Sequence, residues 1–453
     1  MTDSPPDATM PSPEPAPDLP PTRARFVVAA WLCGLSGILY LDRICMAQAV
    51  VPIQNELGLG EIETGLFLMA FTLAYGLFAV PAGWFADKRG PRSALATFVI
   101  AWSAFTALTG AATGLITLIA VRFMFGAAEA GAYPTTAKIL ARWFATSERG
   151  RVQGVLLASS QIGAVVSPFV AAEVIEFAGW RWMFVMFALV GVLWAVGFWW
   201  WFRDDPADHP AVNAAELAGI HAEAPPADPD PGPVPWRAVA NNRGIIVLSL
   251  IMVLGAFFTY FFYSWFPKYL NAAHGVENRV TGRLLSLVIA GSAVGMLLGG
   301  WLADRIPTWT ANPVRARRYL GVVCYLTAAA CLFAGLRCDD PYTLACLWAA
   351  SFWAMHITLP NWWSCAIPQA GRHTATLFGL MNGIGVFGAM ASQGFVAVFT
   401  WWQKERGLSG RAAWDPLFDV YVCVLLGGAG AWWLYRFTPL PEPPPKPQED
   451  TTC

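Results

Sequence analysis

Four ionisable side chains lie inside segments that are otherwise apolar enough to span a membrane. Asp42 and Arg43 are adjacent in one segment, and Arg122 and Glu129 lie seven residues apart in another, two helical turns on one face. A charge in the hydrocarbon core of a bilayer is costly, so an intramembrane acid beside a base indicates a functional site. An acid can carry a proton, and a guanidinium can bind a carboxylate with two hydrogen bonds. The four residues therefore predict a polar, ion-coupled pathway through a helical membrane protein.

The composition of the chain favours the same setting. Of its 453 residues, 56% are hydrophobic and 13% are charged, against roughly 25% charged residues in a typical soluble domain. The net charge of −1 gives no basic surface for a nucleic-acid partner. The nine cysteines show no metal-ligand spacing, and the sequence contains no phosphate-binding loop or nucleophile motif. We therefore expect no metal, no cofactor and no enzymatic activity.

Apolar stretches of about 20 residues predict twelve transmembrane helices. The polar, proline-rich stretch 203–243 divides them into two six-helix bundles, 26–202 and 244–437, and is interpreted as a cytoplasmic linker. Residues 1–25 and 438–453 are predicted to be disordered because they are rich in proline and poor in apolar residues. The predicted fold class is an all-α membrane protein whose spans are 26–49, 64–86, 93–113, 115–143, 151–176, 180–202, 244–270, 281–303, 318–337, 342–367, 374–402 and 415–437.

Basic residues are distributed unevenly among the predicted loops. If the N-terminus is placed inside, the loops on that side contain most of the lysines and arginines that lie between spans. Cytoplasmic loops of membrane proteins have such an excess. The sequence therefore predicts that both termini are cytoplasmic.

A short motif occurs twice, at corresponding places in the two bundles. Gly83-Trp-Phe-Ala-Asp87 follows the second span, and Gly300-Trp-Leu-Ala-Asp304 follows the eighth. A glycine permits close approach to a neighbouring helix, and an aspartate can contact cations or a helix N-terminus. We therefore expect both copies to act at a cytoplasmic gate; the alternative is a chance repeat of ordinary loop charges.

This duplication resembles the major facilitator superfamily, whose two halves are parallel repeats. Further motifs resemble its anion:cation symporter branch, and the hexuronate and D-galactonate transporters within it. The resemblance is dense from about residue 37 to residue 206 and thinner in the second half. It lies in Tyr40-Leu-Asp42-Arg43, Ala82-Gly-Trp-Phe-Ala-Asp-Lys-Arg-Gly-Pro-Arg92, Arg122-Phe-Met-Phe-Gly-Ala-Ala-Glu129-Ala-Gly-Ala-Tyr-Pro134 and Glu148-Arg149-Gly-Arg151.

The resemblance implies a symporter that imports an organic monoanion with protons. The expected cargo is a sugar acid such as a hexuronate or an aldonate, and the protein is expected to act as a monomer in the cell (inner) membrane. A proton-independent organic-anion facilitator or exchanger is the alternative within transport. A membrane sensor that binds ligand without transporting it is an alternative of a different class.

The resemblance also implies roles for individual residues. Asp42 and Glu129 match the family's proton-carrying acids, with Arg122 as part of their switch. Arg43 matches the residue that binds the substrate carboxylate. The residues themselves leave two alternatives open: permanent ion pairs that hold the first and fourth helices together, and an Arg43 that is only the counter-ion of Asp42.

Further substrate contacts are implied by position, although each could instead be a packing residue or an inter-helix hydrogen bond. They are Tyr40, Tyr75, Gln161, Trp362 and Asn382. His356 is a candidate proton relay or anion contact, with a histidine hydrogen-bonded between helices as the alternative. The second half departs from the family's pattern at Tyr260 and Tyr263, and we expect this half to select the anion. The residues expected at the cytoplasmic gate are Gly83, Asp87, Arg92 and Asp304.

Overall fold

The computed structural model of the protein describes residues 20–221, 234–370, 374–438 and 440. These residues form helices joined by short connections. A 3-10 helix, Pro206–Asp208, lies in the linker. The α-helices are α1 Ala24–Leu57, α2 Glu61–Arg89, α3 Pro91–Gly110, α4 Leu115–Glu129, α5 Ala132–Trp143, α6 Thr146–Trp201, α7 Ala214–His221, α8 Trp236–Asn241, α9 Arg243–Ser264, α10 Phe266–His274, α11 Asn278–Trp309, α12 Pro313–Leu336, α13 Pro341–Ala370, α14 Thr374–Glu405 and α15 Gly410–Leu434.

The long helix α6 accounts for two membrane crossings. Its 56 residues are interrupted at Gly179, which has a φ of 84° that glycine adopts without steric cost. Within the described residues, 11 helical segments are long and apolar enough to cross a membrane, and the segment in α6 is 51 residues long. Since that segment turns at Gly179 and is long enough to cross twice, the structure agrees with the prediction of twelve spans.

The helices form two halves, α1–α6 and α9–α15. In the first half α1 packs against α6 and α2 against α4; in the second, α11 packs against α13 and α9 against α14. The halves meet where α6 lies against α11 and where α2 lies against α14. Side chains of α1, α2, α4 and α9 therefore face one another in the middle of the molecule.

The two ends of the bundle differ in how the halves contact each other. We call the end with the start of α1 and the linker the linker face, and the end with the start of α2 and the end of α14 the far face. At the far face, Glu61 of α2 accepts hydrogen bonds from Lys268 and Lys404 of the second half. Just below, a Cβ added to Gly65 would lie 2.4 Å from the Cβ of Ala397. The far face is therefore closed.

The first part of the linker belongs to the first half. Glu216 of α7 is fully buried and accepts hydrogen bonds from the Thr22 hydroxyl and from the backbone N–H groups of Ala24 and Arg25, the latter two at 3.2 and 3.1 Å. The first N–H groups of a helix have no partner within it, so this carboxylate stabilises the start of α1. The prediction that residues 1–25 are disordered is therefore wrong for residues 20–25.

The end of the second half is also tied down. The Thr438 carbonyl accepts a hydrogen bond from Asn242 at 2.8 Å, and its backbone N–H donates to Gln369 at 3.2 Å. The prediction that residues 438–453 are disordered is therefore wrong for Thr438. Residues 439 and 441–453, together with 1–19, 222–233 and 371–373, lie outside the described residues.

Candidate functional site

An ion pair joins α1 to α4 in the middle of the first half. The Nε of Arg43 donates to Oε1 of Glu129 at 2.9 Å, and a terminal nitrogen of the same guanidinium donates to the same oxygen. The side chain of Glu129 is 1% exposed and that of Arg43 is 11% exposed. Oε2 of Glu129 is buried and has no hydrogen-bond partner among the described residues. The carboxylate partner of Arg43 is thus Glu129, and the alternative that Arg43 serves only as the counter-ion of Asp42 does not describe this conformation.

Asp42 is buried beside this pair but does not take part in it. It is 1% exposed, and neither of its carboxyl oxygens has a hydrogen-bond partner among the described residues. An ionised carboxylate that is buried without hydrogen-bond donors is strongly unfavourable. The surroundings of Asp42 therefore favour its neutral form.

Arg122 lies on α4 two turns before Glu129, as the seven-residue spacing predicts. Its guanidinium lies over the rings of Phe71 and Phe125, 5.2 and 4.5 Å from their centroids, and its Nε has no hydrogen-bond partner among the described residues. The helix can lie this deep because Gly126 faces α2: an added Cβ would come within 2.3 Å of the Phe71 carbonyl oxygen. Close packing at Gly126 thus places a second buried cation near Asp42.

Aromatic rings surround the Arg43 guanidinium. It lies 5.4 Å from the ring centroids of Tyr40 and Phe71 and 4.9 Å from that of Tyr75. Such contacts stabilise a cation while leaving its N–H groups free to bind an anion. Tyr40 and Tyr75 thus lie beside Arg43, and their contact with a substrate stays a prediction.

A central cavity lies between the halves at this point. It has room for about one water molecule and is therefore contracted. A sugar acid does not fit in it unless the halves separate. The cavity is lined by Arg43, Met46, Leu68, Phe71, Arg122, Tyr260, Tyr263, Ser264 and Gln393.

Two polar lining residues were missed by the sequence reasoning. Gln393 accepts a hydrogen bond from the Thr72 hydroxyl at 3.0 Å and donates one to the Ser264 hydroxyl, also at 3.0 Å. Both Gln393 and Ser264 come from the second half, and Thr72 comes from the first. The available signal was the amide at position 393 in an apolar segment, the same signal that singled out Gln161.

Gln161 lies at the other seam between the halves. Its side-chain oxygen accepts a hydrogen bond from the Ser292 hydroxyl of α11 at 3.1 Å. Gln161 is buried and does not line the contracted cavity. In this conformation it acts as an inter-helix contact, which was the alternative to substrate binding.

Two aromatic candidates of α13 are packed inside the second half. Trp362 is 1% exposed, and its indole N–H donates to the Leu248 carbonyl of α9 at 2.9 Å. Nδ1 of His356 lies 2.8 Å from the Phe352 carbonyl one turn earlier, and the two rings are 4.3 Å apart. These contacts favour packing roles for both residues, although the histidine bonds within its own helix and not between helices.

The expected gate residues are only partly described. The side chains of Asp87 and Asp304 lie outside the described residues, as does that of Asn382. Arg92 donates to the Trp199 carbonyl at 2.8 Å and so contacts its own half.

The motif glycines do not show the close approach that the sequence predicts. A Cβ added to Gly83 would meet only Pro134 at an ordinary 3.8 Å, and one added to Gly300 would meet no described atom within 4 Å. The prediction that these glycines are needed for close packing is therefore wrong for this conformation. The separation of the neighbouring helices at these positions leaves space for a methyl group.

Among the described residues, no group of three or more histidine, cysteine or acidic side chains could hold a metal ion. The site has instead two acids, two guanidiniums and several tyrosines. Such a set can exchange protons and bind an anion.

Comparison with known proteins identifies the family. Residues 32–393 match the model of the Major Facilitator Superfamily. A probable sulfoacetate transporter of Cupriavidus necator is 30% identical over 376 residues, which cover 82% of this chain and 86% of the relative. A probable L-galactonate transporter of Escherichia coli K12 is 28% identical over 417 residues, 89% of this chain and 87% of the relative. A hexuronate transporter of Bacillus subtilis is 25% identical over 372 residues, which cover 80% of this chain and 86% of the relative.

Solved structures show the same fold. A bacterial homologue of the human lysosomal transporter Spinster, in an inward-facing and unoccupied conformation, matches with a TM-score of 0.71 at 19% identity and covers 91% of this chain and 95% of that one. A D-xylose–proton symporter matches with a TM-score of 0.71 at 12% identity, and the match covers 92% of this chain and 99% of that one. The predicted fold class is therefore confirmed, and the chain is a transporter and not an enzyme. It belongs to the major facilitator superfamily, as a multi-pass membrane protein of the anion-symporter branch.

Proposed function

We propose that the protein is a proton-coupled symporter that imports a small organic anion, with a sugar acid as its substrate. The observation that carries this proposal is the buried pair of Arg43 and Glu129 beside a central cavity. In this pair a carboxylate of the protein occupies the guanidinium that a substrate carboxylate needs. Anion binding and the state of Glu129 are therefore linked.

The linkage has a definite direction. When a substrate carboxylate binds Arg43, it displaces Glu129, which is 1% exposed. A buried carboxylate that has lost its cation is strongly unfavourable, and it relieves this by taking up a proton. Loading the anion thus requires loading a proton on Glu129. Releasing both to the other side lets Glu129 return to Arg43.

Asp42 provides a second proton-binding group in the same place. Its oxygens lack partners while the far face is closed, so we infer that it is protonated in this conformation. Arg122, which shares the buried site, would stabilise its ionised form when the helices shift. Asp42 therefore responds to conformation, and Glu129 responds to the substrate.

The lining of the cavity supports a small hydroxylated anion. Tyr260 and Tyr263 come from α9, while Ser264 and Gln393 add a hydroxyl and an amide. Such groups can replace the water lost by substrate hydroxyls, which would otherwise be costly to bury. The names of relatives, which are transporters of galactonate, hexuronate and sulfoacetate, support a substrate with a carboxylate or a sulfonate head group.

The distribution of basic residues supports one orientation of the protein in the membrane. We propose that the linker face is cytoplasmic, that both termini are inside, and that the far face opens outward from the inner membrane. Transport then proceeds by alternating access in a single chain, with the motif aspartates Asp87 and Asp304 at the cytoplasmic gate. The present conformation is closed on the outer side and has no room for cargo.

The test is uptake into proteoliposomes of radiolabelled D-galactonate, L-galactonate, D-glucuronate, D-glucarate and sulfoacetate. Each is measured with and without an inward proton gradient. Accumulation of one of them above equilibrium only with the gradient supports symport. Equilibration that ignores the gradient identifies a facilitator or exchanger, and binding without uptake identifies a sensor; either result overturns the proposal.

A further inference from the structure

The far face, which is the outer entrance in the proposed orientation, is closed by two charged clusters. In both of them the acids belong to one half and the bases to the other. The carboxylates, Glu61 and Glu173, both belong to the first half. Each contacts two bases of the second half: Lys268 and Lys404 bind Glu61, and Arg279 and Arg283 bind Glu173. When the halves separate at this end, the two acids move with the first half and the four bases stay with the second half.

The Glu61 cluster differs from the Glu173 cluster in burial. The side chains of Glu61 and Lys268 are 4% and 6% exposed, and only Lys404, at 53%, reaches the surface. In the other cluster Glu173, Arg279 and Arg283 are all 27% or more exposed. Exposed ion pairs contribute little to a protein's stability, while a buried one loses much when a partner is removed. Opening the entrance therefore costs the most free energy where Lys268 loses its carboxylate partner.

The arrangement of this cluster is that of a carboxylate-binding site. One oxygen of Glu61 accepts from Lys268 and the other accepts from Lys404. The Lys268 ammonium also lies 5.3 Å from the ring centroid of Trp265, on its own half. The two ammonium groups thus hold a single carboxylate between them, and both stay on the second half when Glu61 moves away.

An open entrance leaves these two lysines in an unfavourable state. They are like charges held close enough to share one carboxylate, and Lys268 loses its anionic partner. An external anion relieves the repulsion by taking the place of Glu61.

We propose that Lys268 and Lys404 form an outer binding site for the carboxylate or sulfonate of the substrate, and that Glu61 replaces the substrate there to close the entrance. This inference rests on the proposed function, since it assumes an anionic cargo. Glu61 cannot return while the anion holds the lysines. The entrance therefore closes only after the anion has moved inward to Arg43, so one carboxylate of the protein enforces the order of the steps.

At both sites a glutamate of the protein binds the cations that we propose for the substrate. In the closed structure Glu129 binds Arg43, and Glu61 binds the lysine pair. Each glutamate stands where a substrate carboxylate can bind. The outer site is the one that the cargo reaches first.

The experiment measures the reactivity of Lys268 toward a membrane-impermeant amine-reactive ester added outside proteoliposomes, quantified by peptide mass spectrometry. Two variants open the entrance by different means. Glu61→Gln removes the carboxylate, and Gly65→Val keeps all charges but places bulk against Ala397, where an added Cβ already comes to 2.4 Å. Labelling at Lys88, on the linker face, reports any protein inserted in the opposite orientation.

The expected result is that Lys268 becomes reactive in both variants. At about ten times its dissociation constant, D-galactonate or sulfoacetate should then slow the labelling roughly 10-fold, because only the unbound protein reacts. Neutral D-galactose at the same concentration should have no effect. Glu56→Gln is the matched control, because Glu56 is also at this face but pairs with Arg181 of its own half; Lys268 should stay unreactive in it.

Two outcomes overturn the inference. Lys268 that stays unreactive in both opened variants refutes the closing role of Glu61. Lys268 that reacts equally fast with and without both anions refutes the binding site. Protection by an anion in a protein that accumulates none of the tested compounds would keep this inference and reject the proposed symport, so the two failures are distinguishable.

Discussion

Replacing Glu129 by glutamine should separate anion binding from proton coupling. Glutamine keeps the size of the side chain but cannot carry the proton or the charge that holds Arg43. In the wild-type protein a substrate carboxylate must compete with Glu129 for the Arg43 guanidinium. Oε1 of Glu129 accepts two hydrogen bonds from that guanidinium. The variant removes that competitor, so its affinity for the anion should rise.

The size of the effect follows from the bond that is lost. A hydrogen bond to a charged group contributes about 1.5–3 kcal/mol, and this corresponds to a roughly 10- to 150-fold increase in anion affinity. The affinity of the wild-type protein should fall as pH rises, because deprotonated Glu129 competes for Arg43. That of Glu129→Gln should lose most of this dependence.

The assays are anion binding by calorimetry between pH 5 and 8, and uptake by proteoliposomes. The variant should exchange labelled for unlabelled anion but not accumulate it with a proton gradient. Glu56→Gln is the matched control, since it removes an equal charge from a glutamate–arginine pair that is half-exposed at the far face. Wild-type accumulation by Glu129→Gln, or weaker anion binding, would refute the reasoning.

Three further predictions concern single side chains. Asp42→Asn should leave the melting temperature within about 2 °C of wild type, because the oxygens of Asp42 have no described partner to lose, while the proton-to-anion stoichiometry measured by pH-dye uptake should fall. Trp362→Phe should lower stability by about 1 kcal/mol through the lost bond to the Leu248 carbonyl, with KM unchanged; a large rise in KM at unchanged melting temperature would restore Trp362 as a substrate contact. Glu216→Ala should lower the free energy of unfolding by roughly 1–3 kcal/mol, because it leaves the buried Ala24 N–H without its acceptor. Thermal denaturation measures this, and an unchanged melting temperature would show that α7 does not anchor α1.

The parts of the site that could be predicted from the sequence are those with a local signal. Asp42, Arg43, Arg122 and Glu129 stand out because ionised groups are rare in apolar segments. The structure brings the four together, with Arg43 11% exposed and the other three buried. Gln393 carried the same kind of signal and was overlooked.

Other residues could not be assigned without the three-dimensional structure. A tryptophan or histidine in a helix can face a cavity or a neighbouring helix, and only helix rotation decides between them. Trp362 faces α9, and His356 bonds to its own helix. Gly83 was expected at a close helix contact, yet the neighbouring Pro134 lies at an ordinary distance.

The sequence by itself determined the membrane class, the twelve crossings, the division at the linker and the presence of buried acids and bases. These properties follow from hydropathy and charge along the chain, which need no knowledge of neighbours in space. The tertiary structure decided that Glu129 and not Asp42 holds Arg43, that the far face is closed through Glu61, and that the linker supports α1. Ion pairing depends on distances of a few ångströms between helices far apart in sequence, and those distances are set by how the two halves pack.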